Sequence, residues 1–340
     1  QNILRQQSKL KEFSLTNNFI ANLDFYYPES SFIEKIKFGI NNFQIIKNNS
    51  FIAIQNTLLY LNLENNQIQD LEIESFKKLF ALESLLLGFN QINFLRPGLF
   101  NDLINLTFLN LEENNLEQIK FSTFFSLKNI KELNLKKNKI SIIESYAFQN
   151  LLHIETINLK YNFIKYIELY FEYNFFNLKK LYISNNHIES IKIIVGNNSF
   201  NKLKNLELGS NKIQNLNEGW LDSNIPNFKL VNFTQNILEF VKEHYFKLLT
   251  NVETLLLAKN KISSIEINSF HNLLLLKDLD LSDNNLYKIE RDLFKNLNNL
   301  KRLNLNQNLI KKIDSFYYLD SLVYLSLSNN FISIFVLEGD

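Results

Sequence analysis

Cysteine and methionine are both absent from this 340-residue chain. Without cysteine there can be no disulfide framework and no thiolate metal site. Proline (3), glycine (7) and tryptophan (1) are scarce, which rules out collagenous and Gly/Pro-rich low-complexity classes. No single sign of charge dominates: 36 Lys and Arg stand against 35 Asp and Glu, for a net charge of +1. That balance carries no overall electrostatic footprint for nucleic acid or an anionic membrane. Long hydrophobic runs are missing as well. The longest, such as residues 273–276, fall far short of the roughly 20 apolar residues that span a bilayer. No secretory leader is recognisable, and the chain opens on Gln1. The expectation is therefore an excised or processed segment, with any leader or anchor outside it.

What the chain has in excess is asparagine, about one residue in six against a far lower ordinary usage. Much of it is not scattered. Asn18, Asn41, Asn66, Asn90, Asn114, Asn138, Asn162, Asn186, Asn211, Asn236, Asn260, Asn284, Asn308 and Asn330 recur at intervals of 22 to 25 residues, eight of the thirteen being 24. An apolar frame travels with them, as in Leu106–Leu109–Leu111–Asn114–Leu116–Ile119 and Leu300–Leu303–Leu305–Asn308–Ile310–Ile313. A fixed period of this size marks a stacked repeat. The period is unbroken over about residues 10–337, which predicts one solenoid of about 14 rungs over residues 1–340 rather than two or three globular domains.

One rung can be read from its periodicity. Leu109 and Leu111 are two apart, so on a strand both point inward, leaving Phe108 and Asn110 outward. The chain then turns at Asn114, whose amide both donates and accepts and can satisfy the turn and the neighbouring rung. A phenylalanine follows ten residues after the asparagine, as Phe51, Phe76, Phe100, Phe124, Phe148, Phe246, Phe270 and Phe294. It is expected to pack on the side opposite the strands. Strands stack about 4.8 Å apart while the far side is bulkier, so the stack should curve with its strands on the inner face.

The frame Leu58–Leu61–Leu63–Asn66–Ile68–Leu71–Phe76–Leu79 resembles the leucine-rich repeat, and its 24-residue length and Phe spine resemble the "typical" class of extracellular proteins. That class includes Toll-type receptor ectodomains, chaoptin-like adhesion proteins and small leucine-rich proteoglycans. The resemblance implies an α/β solenoid: a curved horseshoe with a parallel β-sheet on its concave face. Short helices, 3-10 turns or extended segments would fill the convex face. It further implies a non-enzymatic recognition module, a ligand-binding or adhesion ectodomain that is extracellular or at the cell surface. Two departures stand out: the cysteine-rich caps usual in such proteins are absent, and Glu172, Gly196 and Leu221 replace the spine phenylalanine in the middle rungs. Lack of cysteine leaves open an intracellular scaffold, or an effector whose enzymatic domain lies elsewhere.

The outward strand positions carry the partner expectation. Early rungs present Ile40, Tyr60, Leu86, Phe89 and Phe108, and middle rungs Lys136, Lys137, Lys160 and Lys180 beside Tyr161 and Tyr182. Apolar patches and aromatic anchors mark interaction sites, and the basic-aromatic strip would suit an acidic protein. Asp278, Asp280 and Asp283 cluster on a later rung as a possible cation or basic-ligand site. The irregular stretch at about residues 168–230 contains Trp220, a candidate for contact with a partner through a protruding loop. Sequons stand at Asn48, Asn105, Asn197 and Asn232, no more than the roughly five expected by chance at this composition. Asn105 is the better acceptor, because a glycan on Asn232 would obstruct the concave face. Four dispersed histidines and no catalytic motif exclude an enzyme signature, and no cofactor or metal is expected. The apolar tail after Asn330 predicts that neighbouring sequence covers that end, since terminal repeats need a polar outer face.

Overall fold

The computed structural model describes residues 9–23, 32–171, 177–195, 202–221, 227–313, 316 and 318–335. The chain divides into two compact units, Gln1–Ile164 with Tyr173–Leu178, and Lys165–Glu172 with Lys179–Asp340. Each is a solenoid of stacked rungs. The first carries the three-residue sheet strands Glu12–Ser14, Lys35–Lys37, Tyr60–Asn62, Ser84–Leu86, Phe108–Asn110, Glu132–Asn134 and Thr156–Asn158, parallel and in register. The second carries Lys180–Tyr182, Asn205–Glu207, Leu230–Asn232, Thr254–Leu256, Asp278–Asp280, Arg302–Asn304 and Tyr324–Ser326, paired the same way. The register follows from the Leu frame, since the central leucine of one strand lies against that of the next, as Leu85 against Leu109. A slip of one residue would turn every core leucine to solvent.

The asparagine ladder works as the amide chemistry requires. Asn114 Nδ2 donates to Leu111 O (3.1 Å) and Glu112 O (3.3 Å) in its own rung and to Leu87 O (2.9 Å) in the preceding one. Its Oδ1 accepts from Ile92 N at 3.0 Å. The ladder asparagines from Asn41 to Asn308 are buried, so these bonds satisfy an N–H that would otherwise be orphaned in an apolar core and give the carbonyls a second donor.

Opposite the strands there is almost no helix: two 3-10 turns, Ile52–Ile54 and Glu243–Tyr245, and no α-helix among the described residues. Short parallel pairs take their place, the longest being Tyr166–Phe171 with Ser190–Val195 in the second unit. The phenylalanines stack as a spine beneath these turns. Phe51, Phe76, Phe100, Phe124 and Phe148 stand 6.2 to 6.5 Å apart ring to ring. Phe246, Phe270, Phe294 and also Phe316 continue the pattern in the second unit.

Trp220 corrects an expectation. It does not project towards a partner: it is buried, packs edge-on against Phe233 at 5.7 Å and donates through Nε1 to Tyr245 O at 2.9 Å. It fills the space that opens where Leu221 replaces the spine phenylalanine, and the indole N–H finds the partner that burial demands. Much of the remaining irregular stretch, including residues 172–176, 196–201 and Pro226, lies outside the described residues.

Candidate functional site

Every residue immediately preceding a ladder asparagine has a left-handed backbone, with φ between 51° and 60°. The conformation turns the chain out of the strand, and it lets that residue's N–H reach the next rung, as Phe89 N does to Glu112 O at 2.8 Å. L-residues pay roughly 1–2 kcal/mol there, with asparagine and glycine the tolerant exceptions. In the first unit the position holds Asn17, Ile40, Asn65, Phe89, Glu113, Lys137 and Tyr161. Ile40, Phe89 and Tyr161 are therefore bulky residues held in a costly conformation, and they are exposed by 49%, 39% and 49%. Tyr60, Leu86 and Phe108 lie half-buried on the adjoining strands. Position in the fold thus gathers the first unit's apolar candidates on one sheet face and its turn edge.

A second set of asparagines, four residues before the ladder, stands on the same face. Asn62, Asn110, Asn134 and Asn158 each accept from the N–H two residues on, at 2.8 to 3.2 Å. Two of their amide nitrogens reach carboxylates of other rungs. Asn110 Nδ2 donates to Glu64 at 2.7 Å, two rungs away, and Asn134 Nδ2 donates to Glu112 at 3.0 Å. Glu64 can span a rung because Gly88 stands between; a Cβ there would lie 3.2 Å from the Glu64 carboxylate and 3.0 Å from the Asn110 amide. The sequence signal was present, since Asn–x–x–x–Asn recurs at 62–66, 110–114, 134–138, 158–162, 232–236 and 304–308.

The two carboxylates behave oppositely. Burial pushes the Glu64 pKa up, aided by the nearby Glu112 charge and only partly offset by hydrogen bonds from Asn110 and Asn62. Burial also opposes ionisation of Glu112, but hydrogen bonds from Lys136 and Asn134 and the Lys136 and Lys137 charges outweigh it and hold its pKa low. This changes the expected basic strip. Lys136 pairs with Glu112 at 2.8 Å and Lys137 with Glu113 at 2.5 Å, so neither offers a free cation. Lys160 is half-buried on the next rung, while Lys180, exposed, and Tyr182, half-buried, belong to the second unit.

Elsewhere in the second unit, burial raises the Asp278 pKa against the opposing charge of Arg302. Asp280 accepts from Ser282 N and Oγ at 3.0 and 2.7 Å. Asp278, Asp280 and Asp283 do not form a metal-holding group, and none occurs among the described residues. Of the sequons, Asn48 and Asn105 are exposed, although Asn105 Nδ2 already donates to Phe80 O at 2.9 Å. Asn232 is half-buried and bonded to Glu207 at 2.9 Å, and Asn197 lies outside the described residues. No helix of the described residues is long and apolar enough to cross a membrane.

Against known proteins, no curated sequence matches the chain. Solved structures do. A TLR13–ssRNA13 complex matches with TM-score 0.73 and 24% identity, covering 97% of this chain and 52% of that one. The Toll–Spatzle complex of Drosophila matches with TM-score 0.79 and 22% identity, covering 98% and 45%. An LRIM1/APL1C complex matches with TM-score 0.70 and 22% identity, covering 94% and 61%. The chain thus spans about half to three-fifths of these neighbours, and at such identities they attest the fold. Leucine rich repeat profiles match residues 56–116, 104–164, 226–286 and 274–332, and another matches 177–199, together more than half of the chain. With those matches, and with rungs, ladder and spine built as the pattern demands, this chain belongs to the leucine-rich repeat family.

Proposed function

We propose that the chain is a ligand-recognition segment of a cell-surface or secreted leucine-rich repeat protein, binding a protein partner on the sheet face of the first unit. The observation that carries this is the trio Ile40, Phe89 and Tyr161, exposed and apolar at left-handed φ. Neither burial nor backbone preference favours them there, and residues held against local preference concentrate at functional sites. Tyr60, Leu86 and Phe108 add apolar area on the adjoining strands, of the kind that anchors protein partners, with Asn65 between Ile40 and Phe89, and Glu113 and Lys137 between Phe89 and Tyr161. Two of the neighbours are themselves complexes with a protein, Toll with Spatzle and LRIM1 with APL1C. The extracellular setting rests on those neighbours and on the 24-residue Phe-bearing repeat. The single-solenoid organisation expected from the unbroken period belongs to the same proposal, and limited proteolysis that releases two stable halves would count against it.

The test is a triple variant, Ile40→Asn, Phe89→Asn and Tyr161→Asn. Asparagine suits the backbone better, so the melting temperature should rise while partner capture from the native setting falls. Unchanged capture by the folded variant rejects the site. For the setting, the full-length reading frame decides: a secretory leader supports the reading, and a cytosolic start followed by more repeats sinks it.

A further inference from the structure

The net charge of +1 conceals a segregation that emerges only when the rungs are laid side by side. Seven residues before each ladder asparagine, on the flank where the chain enters the strand, the second unit carries Lys179, Lys204, Lys229, Glu253, Lys277 and Lys301, with Val323 on its last rung. These residues are neighbours through the backbone: Lys229 N donates to Lys204 O, Glu253 N to Lys229 O, Lys277 N to Glu253 O and Lys301 N to Lys277 O, at 2.7 to 2.9 Å. At about 4.8 Å per rung the row is about 24 Å long. Glu253 does not neutralise it. Its carboxylate is gripped from both sides by Lys229 at 2.7 Å and Lys277 at 2.6 Å, so the three together keep a positive charge. Those two hydrogen bonds hold the Glu253 pKa down at about 2.

Adding the positions six and nine before the asparagine brings in Lys180, Lys202, Arg302 and Asp278. The flank then holds eight cations against two carboxylates. The same positions in the first unit hold four cations, Lys9, Lys11, Lys35 and Lys131, against five carboxylates, Glu12, Glu34, Glu83, Glu132 and Glu155.

We propose that this lysine row is a binding surface for a linear sulfated polysaccharide. A row of like charges at regular spacing fits a polymer of opposite repeating charge, and such a field steers and concentrates it. Three features select among polyanions. From residue 179 to residue 302 these columns offer no aromatic face, and Tyr324 on the rung that follows lies under Arg302 at 4.6 Å, so there is no run of platforms for stacking bases. The cations are lysines in all but one case, point charges rather than the planar forks that grip phosphate in two places. The backbone groups of the row are consumed between rungs, so an acidic peptide gains no strand pairing. Asn227 and Asn251, in the outermost of the three columns, add amides suited to sugar hydroxyls. The polymer's natural setting rests on the extracellular reading above, whereas the binding measurement does not.

The experiment uses the full chain and a fluorescent heparin octasaccharide, read by anisotropy, with oligouridylate and polyglutamate of matched charge as competitors. The octasaccharide should bind, weaken with salt, and lose at least about tenfold in affinity in Lys204→Glu with Lys301→Glu. The first-unit pair Lys47→Glu with Lys128→Glu changes net charge equally and should have little effect, as should the triple Ile40, Phe89 and Tyr161 variant. Equal losses in both charge-reversal pairs would reduce the effect to net charge and overturn the proposal. So would absence of binding, or tighter binding of oligouridylate or polyglutamate.

Discussion

The two units share one frame and wear different surfaces. Both set an apolar pair inward on each strand, mostly leucines, both hang their inner turns on a buried asparagine, and both stack phenylalanines opposite the sheet. At the left-handed position the first unit has Ile40, Phe89 and Tyr161 among its seven residues. The second has only polar ones there: Asn185, Ser210, Gln235, Lys259, Asp283, Gln307 and Asn329. The flank differs in charge as the turn edge differs in polarity. Inward positions are interchangeable between units because each rung meets only its neighbours. Outward positions are where the units part, so the proposed recognition must be tested there and unit by unit.

The largest effect should fall where the units are alike. Asn114→Leu strands Ile92 N and takes one of two donors from the carbonyls of Leu87, Leu111 and Glu112. Asn260→Leu does the same to Leu238 N and the carbonyls of Phe233, Leu257 and Ala258. Each should cost about 2–3 kcal/mol in chemical denaturation, since the buried N–H left unpaired and the amide bonds lost together carry the penalty. A clearly smaller loss at Asn260 would show that the ladder is not equivalent in the two units.

Next in size comes glycine. Gly88 and Gly209 occupy the same place in their rungs, two before the asparagine. A Cβ on Gly88 meets the Asn110 amide at 3.0 Å, the Glu64 carboxylate at 3.2 Å and Glu112 O at 3.3 Å; on Gly209 it meets Thr234 O at 3.2 Å and the Asn232 amide at 3.4 Å. Gly88→Ala should therefore cost about 1–2 kcal/mol and Gly209→Ala less. Equal costs would mean that the Glu64–Asn110 bond contributes little. Smaller again, and of opposite sign, is Ile40→Asn, which should raise stability by about 1 kcal/mol. Lys259→Asn in the second unit, where no β-branched side chain is relieved, should gain a few tenths.

How much of this was legible follows from which neighbour a residue answers to. Leu109, Asn114 and Phe124 answer to their own repeat, and the period alone gave their places. Phe316 escaped because the last interval is 22 residues, which brings its ring to the spine two positions early. The pairing of Lys136 with Glu112 lies across rungs, 24 residues apart, so reading along the chain showed free lysines where reading down a column would have shown an ion pair. Trp220 was misplaced for a related reason: the gap it fills is made by Leu221, a substitution whose consequence is only visible in three dimensions. The left-handed φ at Ile40 and Phe89 has no residue-level signature, because the turn imposes it whatever side chain stands there. Function shares that difficulty, being written in outward columns that the repeat leaves free.

The finest comparison lies inside the first unit, between Glu64 and Glu112, and it is a matter of sign. Glu64 has a folded pKa above its ordinary 4.5, so the native state holds that proton more tightly than the unfolded chain. Its contribution is fully present below pH 4.5 and is lost as pH rises through the folded value, leaving ionised Glu64 a burden at neutrality. Glu112 is depressed below 4.5. Its contribution is present above that value and is lost as pH falls through the folded pKa. Glu64→Gln should therefore melt higher than the parent at pH 7, with the advantage shrinking towards pH 4. Glu112→Gln should melt lower at pH 7, its deficit closing on further acidification. Both shifts should be small, because neither carboxylate is fully buried and water screens the charges. Parallel pH profiles for the two variants would show that lysine partners on the adjacent rung do not separate these carboxylates, and the contrast drawn between the neutral and charge-paired parts of the face would fall with it.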